Sequence, residues 1–442
     1  MSNETANSGA AIQPSCLALL PFLVFLVFYL GISLCAGDFY KVPMPVAFLV
    51  ATMVALCQNR RRSLTEKVEL FAKSMGESNI MIMCLIFILS GIFAALAKGM
   101  GAVDAAVALS RALIPDRLIL GGTFIVSCLI SLAIGTSCGT IAGLTPIAVG
   151  LVDQLAINPA LLLGCVIGGA MFGDNMSIIS DTTIAATRTQ GVEMRDKFLS
   201  NLYFALPAAL LTLAWYLCQG GEPASSEPAN ITWRQGILLV PYILVLMGAL
   251  AGLNVMVLLV VGCVVATAIG LSSGAFDLWT SFGLMSEGMA GMCETLVVAL
   301  LAGGLLGLIR YAGGISFLIQ KIERSIQSPR AAEFGVALLV GFVNLFTANN
   351  TVAIVVAGPI AAEISRKFRC QPKRIASILD TTSCVIQGVI PYGAQILIAT
   401  GIAKTAGLQM TAFELMTHLR YPQLLALALI AYIALGNRKN DK

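Results

Sequence analysis

Long apolar runs constrain what this chain can fold into more than any other feature. Cys16–Cys35 carries no charge over about 20 residues, which makes about 30 Å of helix and matches the hydrocarbon core of a bilayer. Similar runs return at Asn79–Ala97, Leu199–Cys218 and Val255–Leu271. Hydrocarbon offers no water to backbone N–H and C=O groups, so such runs fold as helices that satisfy themselves. The composition agrees: 58% of the 442 residues are hydrophobic and 11% charged, against about 25% charged in a soluble domain. The fold class is an all-α polytopic membrane protein. Twelve cysteines are scattered with no CxxC pair and read as small core residues. The single histidine, His418, excludes HExxH-type zinc sites. No motif implies a cofactor or a nucleic-acid partner; the expected surroundings are membrane lipid. Met1–Ser15 has no basic signal-peptide region, and the run after it is long enough to span.

In chain order, Val42–Cys57 is a second span, bent near Pro45, followed by Arg60–Arg62 and the amphipathic surface segment Leu64–Met75. Asn79–Ala97 spans, and Gly99–Asp116 is interfacial. Residues 118–153 are too long for one crossing and are interrupted at Gly135–Thr140. They read as a re-entrant hairpin with its polar tip at depth. Residues 159–186 form a broken span and Leu199–Cys218 a further one. Gln219–Asn230 is rich in Gly, Pro, Ser and Glu and sets an external linker at 219–234. The pattern then returns: spans Gly236–Leu250 and Val255–Leu271, an interfacial Ala275–Met289, span Thr295–Ile309 and a mixed Gly313–Ile326. A second hairpin at 334–365 breaks at Thr347–Thr351, a second broken helix occupies 375–403 with its interruption at Asp380–Gly393, and Leu424–Leu435 closes the series. Pro146 and Pro359, Gly91 and Gly304, and Gly101 and Gly314 each lie 213 residues apart.

Charge suggests orientation. If the loop at Arg60–Arg62 is cytoplasmic, the alternation places 183–198, 310–331, 366–374 and 438–442 on the same side. Together with the stretch from Arg60 to Lys73, those segments hold 20 of the 27 Lys and Arg residues, as the positive-inside rule asks. Both termini are then cytoplasmic. Each half, 1–218 and 235–442, has five transmembrane helices and one re-entrant hairpin, and an odd number of crossings makes the two repeats inverted. Inverted-topology repeats with interrupted helices meeting at mid-membrane are the architecture of a secondary transporter; a selective channel is the structural competitor.

The most polar interruption is Gly173–Thr183, where Asp174 and Asp181 lie among Asn175, Ser177, Ser180, Thr182 and Thr183. A charge at the bilayer centre costs about 2.5–3.5 kcal/mol on insertion scales, more than packing alone explains. Oxygen ligands of this kind suit a hard cation or a proton. Opposite them the expected partners are Thr136, Ser137, Asn349, Asn350 and Thr351 from the hairpin tips, and Asp380 and Thr381 from the second broken helix. Asp174, Asp181 and Asp380 are the carboxylates expected to hold the transported metal ion. A proton and a metal ion compete for the same carboxylate oxygens, and that competition couples their flows. No Lys or Arg falls within the four interruptions. Glu77 and Glu294 read as interfacial caps, and Asp153 and Glu363 as solvated. Ser137 as a hydrolase nucleophile lacks a base, since His418 lies far along the chain.

The run Phe172-Gly173-Asp174-Asn175-Met176-Ser177-Ile178-Ile179-Ser180-Asp181-Thr182-Thr183 resembles the signature of the NhaC family of sodium/proton antiporters. Gly135–Gly143 is similar to that family's first hairpin tip, and Asp380 with Ile390-Pro391 to its second broken helix. The resemblance implies Na⁺ and H⁺ as transported ions and a multi-pass protein of a prokaryotic inner membrane. It also admits exchangers of malate for lactate. A homodimer is among the assemblies open to it. Ile178 stands where the family has Pro, and Tyr392-Gly393 where it has Trp-Asn.

Overall fold

The computed structural model describes residues 13–32, 43–58, 63–113, 115–155, 157–177, 180–219, 233–251 and 253–435, and among them every regular element is a helix. A 3-10 turn at Cys16–Leu19 leads into α1 (Leu20–Leu26), and helical backbone continues to Ile32; the expected end at Cys35 lies outside the described residues. Pro45 starts α2 (Met44–Cys57) instead of bending it, because an N-terminal turn needs no N–H at that position. A capping box opens α3 (Leu64–Met75): Ser63 Oγ accepts from Glu66 N–H and the Glu66 carboxylate accepts from Ser63 N–H, each at 3.2 Å. Next come α4 (Ser78–Gly99) and α5 (Ala102–Leu113), the latter a distinct helix in the interfacial stretch.

The first hairpin is α6 (Ile119–Ile134) and α7 (Ser137–Leu155), and its tip is only Gly135-Thr136. The first broken helix is α8 (Pro159–Met176) and α9 (Asp181–Gln190), followed by α10 (Met194–Cys218). Beyond the linker, Gly236–Leu250 divides into α11 (Trp233–Leu238) and α12 (Val240–Leu250). Then come α13 (Val255–Ser273), α14 (Leu278–Gly291), α15 (Cys293–Tyr311) and α16 (Gly314–Ser325). The second hairpin is α17 (Pro329–Thr347) with α18 (Asn350–Phe368), and the second broken helix is α19 (Pro372–Val389) with α20 (Ala394–Thr405). A short α21 (Ala412–Thr417) and α22 (Arg420–Leu435) end the described chain. Among the described residues, seven helical stretches are long and apolar enough to cross a membrane. Arg60–Arg62, 438–442 and 220–232 lie outside the described residues.

The offset of 213 residues holds in hydrogen bonds as well as in sequence. Ser131 Oγ donates to the Ala170 carbonyl at 2.6 Å, and Asn344 Nδ2 to the Ser383 carbonyl at 2.8 Å. Gly135 N–H bonds Ser131 O and Ala348 N–H bonds Asn344 O, both at 2.8 Å. Gly135 and Ala348 both take the left-handed conformation that ends a helix, at φ 74° and 47°, although Ala348 carries a Cβ. Ser177 N–H reaches Gly173 O, and Ile390 N–H reaches Ile386 O. Asn158-Pro159 and Gln371-Pro372 both open their broken helices with proline in the first turn, although of the two only the Asn158 side chain caps its helix. Different side chains thus support matching backbone geometry in hairpin and broken helix alike.

Both breaks are narrower than expected. Asp174 and Asn175 are still helical, and the chain turns extended at Ser177 and Ser180, with Ile178 and Ile179 outside the described residues. In the second, the Asp380–Ser383 tract lies within continuous helix. One of its hydroxyls returns to the helix, Ser383 Oγ donating to Asp380 O at 2.8 Å, and only Ile390–Gly393 is open.

α6 packs closely on α8 because α8 presents glycines. A Cβ at Gly169 would stand 2.6 Å from Ser127 Cβ, and one at Gly173 2.7 Å from Cys128 O. Close approach lets Ser127 and Ser131 donate to α8 carbonyls, the small-residue seam expected between membrane helices. Gly173→Ala should push the hairpin off the broken helix at a cost of about 1–3 kcal/mol. A lower thermal midpoint of the purified protein in detergent checks this, and an unchanged midpoint contradicts it.

Candidate ion site

Asp174 sits in the last turn of α8, 4% exposed, facing the first hairpin tip. Ser137 Oγ, at the start of α7, donates to its Oδ2 at 2.7 Å, and Ser180 Oγ donates to its Oδ1 at 2.6 Å. Ser180 is also the N-cap of α9, within 2.9 Å of Thr182 Oγ1. The extended break therefore folds a hydroxyl back onto the carboxylate, and the hairpin supplies the other. Among the described residues no Lys or Arg forms an ion pair with Asp174. A buried carboxylate held by neutral donors alone can exchange its counter-charge, taking either a proton or a cation.

Asp380 is different. It is 0% exposed and forms an ion pair with Lys197 Nζ, from the first turn of α10. The same ammonium donates to the Asn175 carbonyl and, at 2.8 Å, to Thr183 Oγ1. Lys197 is 1% exposed and joins both sides of the first break to the second broken helix. Asn201, one turn on, donates to Asn175 Oδ1 at 2.8 Å and accepts a short hydrogen bond from Ser377. Thr381 Oγ1 donates to Asn175 Oδ1 at 3.2 Å. Three polar atoms of this layer, Asn175 Nδ2, Asp380 Oδ1 and Thr382 Oγ1, are buried without a hydrogen-bond partner among the described residues.

The structure brings together Asp174, Asn175, Ser137, Thr182, Asp380 and Thr381, and Ser177 borders them, its carbonyl accepting from Thr183 Oγ1. Others stand apart. Asp181 is exposed in the first turn of α9, where a carboxylate complements the helix dipole. The expected trio of Asp174, Asp181 and Asp380 does not form, and among the described residues no three acidic, His or Cys side chains are placed to hold a metal ion. Thr136 is half-buried and offers its carbonyl to Thr140. Asn349 caps α18 by accepting from Val352 N–H at 2.9 Å, and Asn350 accepts from Thr351 N–H; neither they nor Thr351 bonds Asp174. Glu77 and Glu294 do not cap their helices with side-chain bonds but form exposed ion pairs with Arg310 and Lys404. Glu363 is exposed as expected, and the Asp153 side chain lies outside the described set. Tyr392 is buried and donates to the Leu345 carbonyl at 2.7 Å.

Lys197, Asn201, Ser377, Gln387 and Gln395 join the site without having been expected from the sequence. Lys197 counted as a loop cation, yet a signal was present: Lys197, Asn201, Ala205, Ala208 and Thr212 form one buried stripe of α10 at helical spacing. Gln387 and Gln395 link the second hairpin to the first; the 213-residue offset from Asp174 points to Gln387, and three-dimensional proximity reveals Gln395.

The sequence pattern of the Na⁺/H⁺ antiporter family matches residues 16–220 and 227–437. The chain belongs to that family. The six unmatched residues between the two blocks fall in the linker, so the match covers both hairpins and both broken helices of this family member. It is 23% identical over 417 residues to a malate-2H⁺/Na⁺-lactate antiporter of Bacillus subtilis, covering 87% of this chain and 88% of that one. It is 23% identical over 381 residues to the Na⁺/H⁺ antiporter NhaC of Alkalihalophilus pseudofirmus, covering 80% and 82%. To the Na⁺/H⁺ antiporter NhaC of Bacillus subtilis it is 25% identical over 316 residues, covering 63% and 68%. The family is one of antiporters, and its members are multi-pass membrane proteins.

Proposed function

We propose that this antiporter exchanges Na⁺ for H⁺ at Asp174 by alternating access. The observation that carries the reading is the contrast between two buried carboxylates. Asp380 has a fixed counter-ion in Lys197, and Asp174 is held among the described residues by neutral donors, the Ser137 and Ser180 hydroxyls foremost. A transported cation and a proton are thus interchangeable partners for Asp174. Ser137, Ser180 and Thr182 contribute further oxygens to either state. The 213-residue correspondence and the positive-inside count support two inverted halves, 1–218 and 235–442, with both termini cytoplasmic in a cell membrane.

Exchange of an organic anion, as the name of the Bacillus subtilis malate–lactate relative suggests, is favoured by a free cationic group for its carboxylate. Lys197 is the buried ammonium in this layer, and an ammonium has three donors. Asp380, the Asn175 carbonyl and Thr183 Oγ1 take all three. The geometry therefore favours inorganic ions. Proteoliposomes decide: Na⁺ alone should dissipate an imposed pH gradient. A requirement for malate, lactate or an amino acid would replace this reading, and current without counter-transport would mean a channel.

Competition at one carboxylate also fixes the pH response. Apparent Na⁺ affinity should weaken toward acid pH, with a limiting slope of about one decade per pH unit for each displaced proton. Saturating Na⁺ should restore much of the rate. His418 bonds Thr417 and the Glu414 carbonyl, away from these residues, so His418→Gln should leave the profile unchanged. A Na⁺ affinity independent of pH, with only the maximal rate falling, would defeat the competition.

A further inference from the structure

Gln387 occupies in the second broken helix the place that Asp174 occupies in the first. The 213-residue offset carries Asp174 to Gln387, and the hydrogen bonds on either side, Ser131–Ala170 with Asn344–Ser383 and Gly173–Ser177 with Ile386–Ile390, correspond at the same offset. Gln387 is 2% exposed. Its Nε2 donates to the Ala348 carbonyl at the second hairpin tip and to Gln395 Oε1, both at 3.0 Å. Gln395 Nε2 donates to Ser137 Oγ at 3.0 Å, and Ser137 donates to Asp174. A carbonyl only accepts, so Ala348 fixes which end of the Gln387 amide faces it. That choice sets Gln395 and then Ser137, and every donor in the series is directed toward Asp174. It also leaves Gln387 Oε1 as a buried oxygen with no hydrogen-bond partner among the described residues.

The series ends beside a cavity. Thr347, Ala348 and Asn349 of the tip line it together with Tyr392, and Glu77 and Arg310 stand at its exposed rim. A polar route therefore runs from that rim past the tip to Gln387, Gln395, Ser137 and Asp174.

We propose that Gln387 Oε1 is a second ligand for the transported cation, met between this cavity and Asp174. The proposal rests on the Na⁺/H⁺ reading above. Being neutral, a carboxamide oxygen replaces part of the hydration shell of a monovalent cation without holding it, as a station on a path must. Asp174 supplies the charge that the proton contests, and Gln387 supplies passage.

The test uses the full chain in proteoliposomes with Na⁺ as the only added ion, comparing wild type, Gln387→Met and Gln387→Glu, each first shown to be monodisperse by gel filtration. Gln387→Met keeps the side-chain length and should raise half-saturating Na⁺ by about tenfold, the loss of one buried polar partner. Gln387→Glu should lower half-saturating Na⁺ at alkaline pH and steepen its pH dependence toward about two decades per unit, since a second proton is then displaced. Wild-type half-saturation in Gln387→Met, or no tightening in Gln387→Glu, overturns the proposal. If Gln387→Met does not fold, Gln387→Glu decides alone. Absence of Na⁺-driven proton movement in the wild type defeats the Na⁺/H⁺ reading itself and is distinguishable from either result.

Discussion

Asp174→Asn should abolish Na⁺-dependent proton movement, because an amide cannot carry the exchanged proton; loss of the charged partner alone, worth roughly 1.5–3 kcal/mol, lowers it about 10- to 100-fold. The substitution is nearly isosteric. The amide oxygen can still accept from Ser180, and Ser137 can turn to accept from the new amide nitrogen, so the contacts that seat α7 and α9 against α8 survive. Removing an uncompensated buried charge should also leave stability unchanged or raised. The variant is therefore expected to insert, purify as a single species and melt no earlier than wild type while failing to move protons in response to Na⁺. Retained exchange in such a sample would remove Asp174 from the mechanism.

The polar interruptions were legible because lipid leaves so few reasons for them. Asp174 stood out in an apolar run, and its neighbours Ser177 and Ser180 mark where the helix opens. The hairpins were legible from length, and the internal order from Pro146 and Pro359. Asp181 misled because composition does not tell which face a residue takes. It follows the N-cap Ser180, and the first helical turn offers it the dipole while leaving it exposed. Asn349 misled for a similar reason: an amide at a hairpin tip is first a helix cap. The Asp380 tract was expected to be open because it is polar, yet an ion pair from another helix removes the need to open. Lys197 is 183 residues from Asp380 in sequence, and no local pattern pairs them. What a sequence shows well here is the cost of a buried charge, and what it hides is the partner that meets it.

That partner carries the second large expectation. Lys197→Met leaves Asp380 buried with no counter-charge and should destabilise the protein by about 3–5 kcal/mol, as breaking a buried pair generally does. It also removes the one group that bonds the Asn175 carbonyl before the break and Thr183 after it. The two losses separate in the double variant Lys197→Met with Asp380→Asn. Replacing both charges costs little in itself, so most of the lost stability should return. The break remains unstapled, and exchange should recover only to within about tenfold of wild type, the worth of one charge-assisted hydrogen bond. Melting in detergent reads the first quantity, and Na⁺-driven proton movement in proteoliposomes reads the second. If Asp380 were instead a ligand of the transported ion, the double variant would fold as well as wild type and be as inactive as Asp174→Asn. The expected result is the opposite one, because the ammonium that Asp380 holds is already saturated and positions Asn175 next to the carboxylate that is free to exchange.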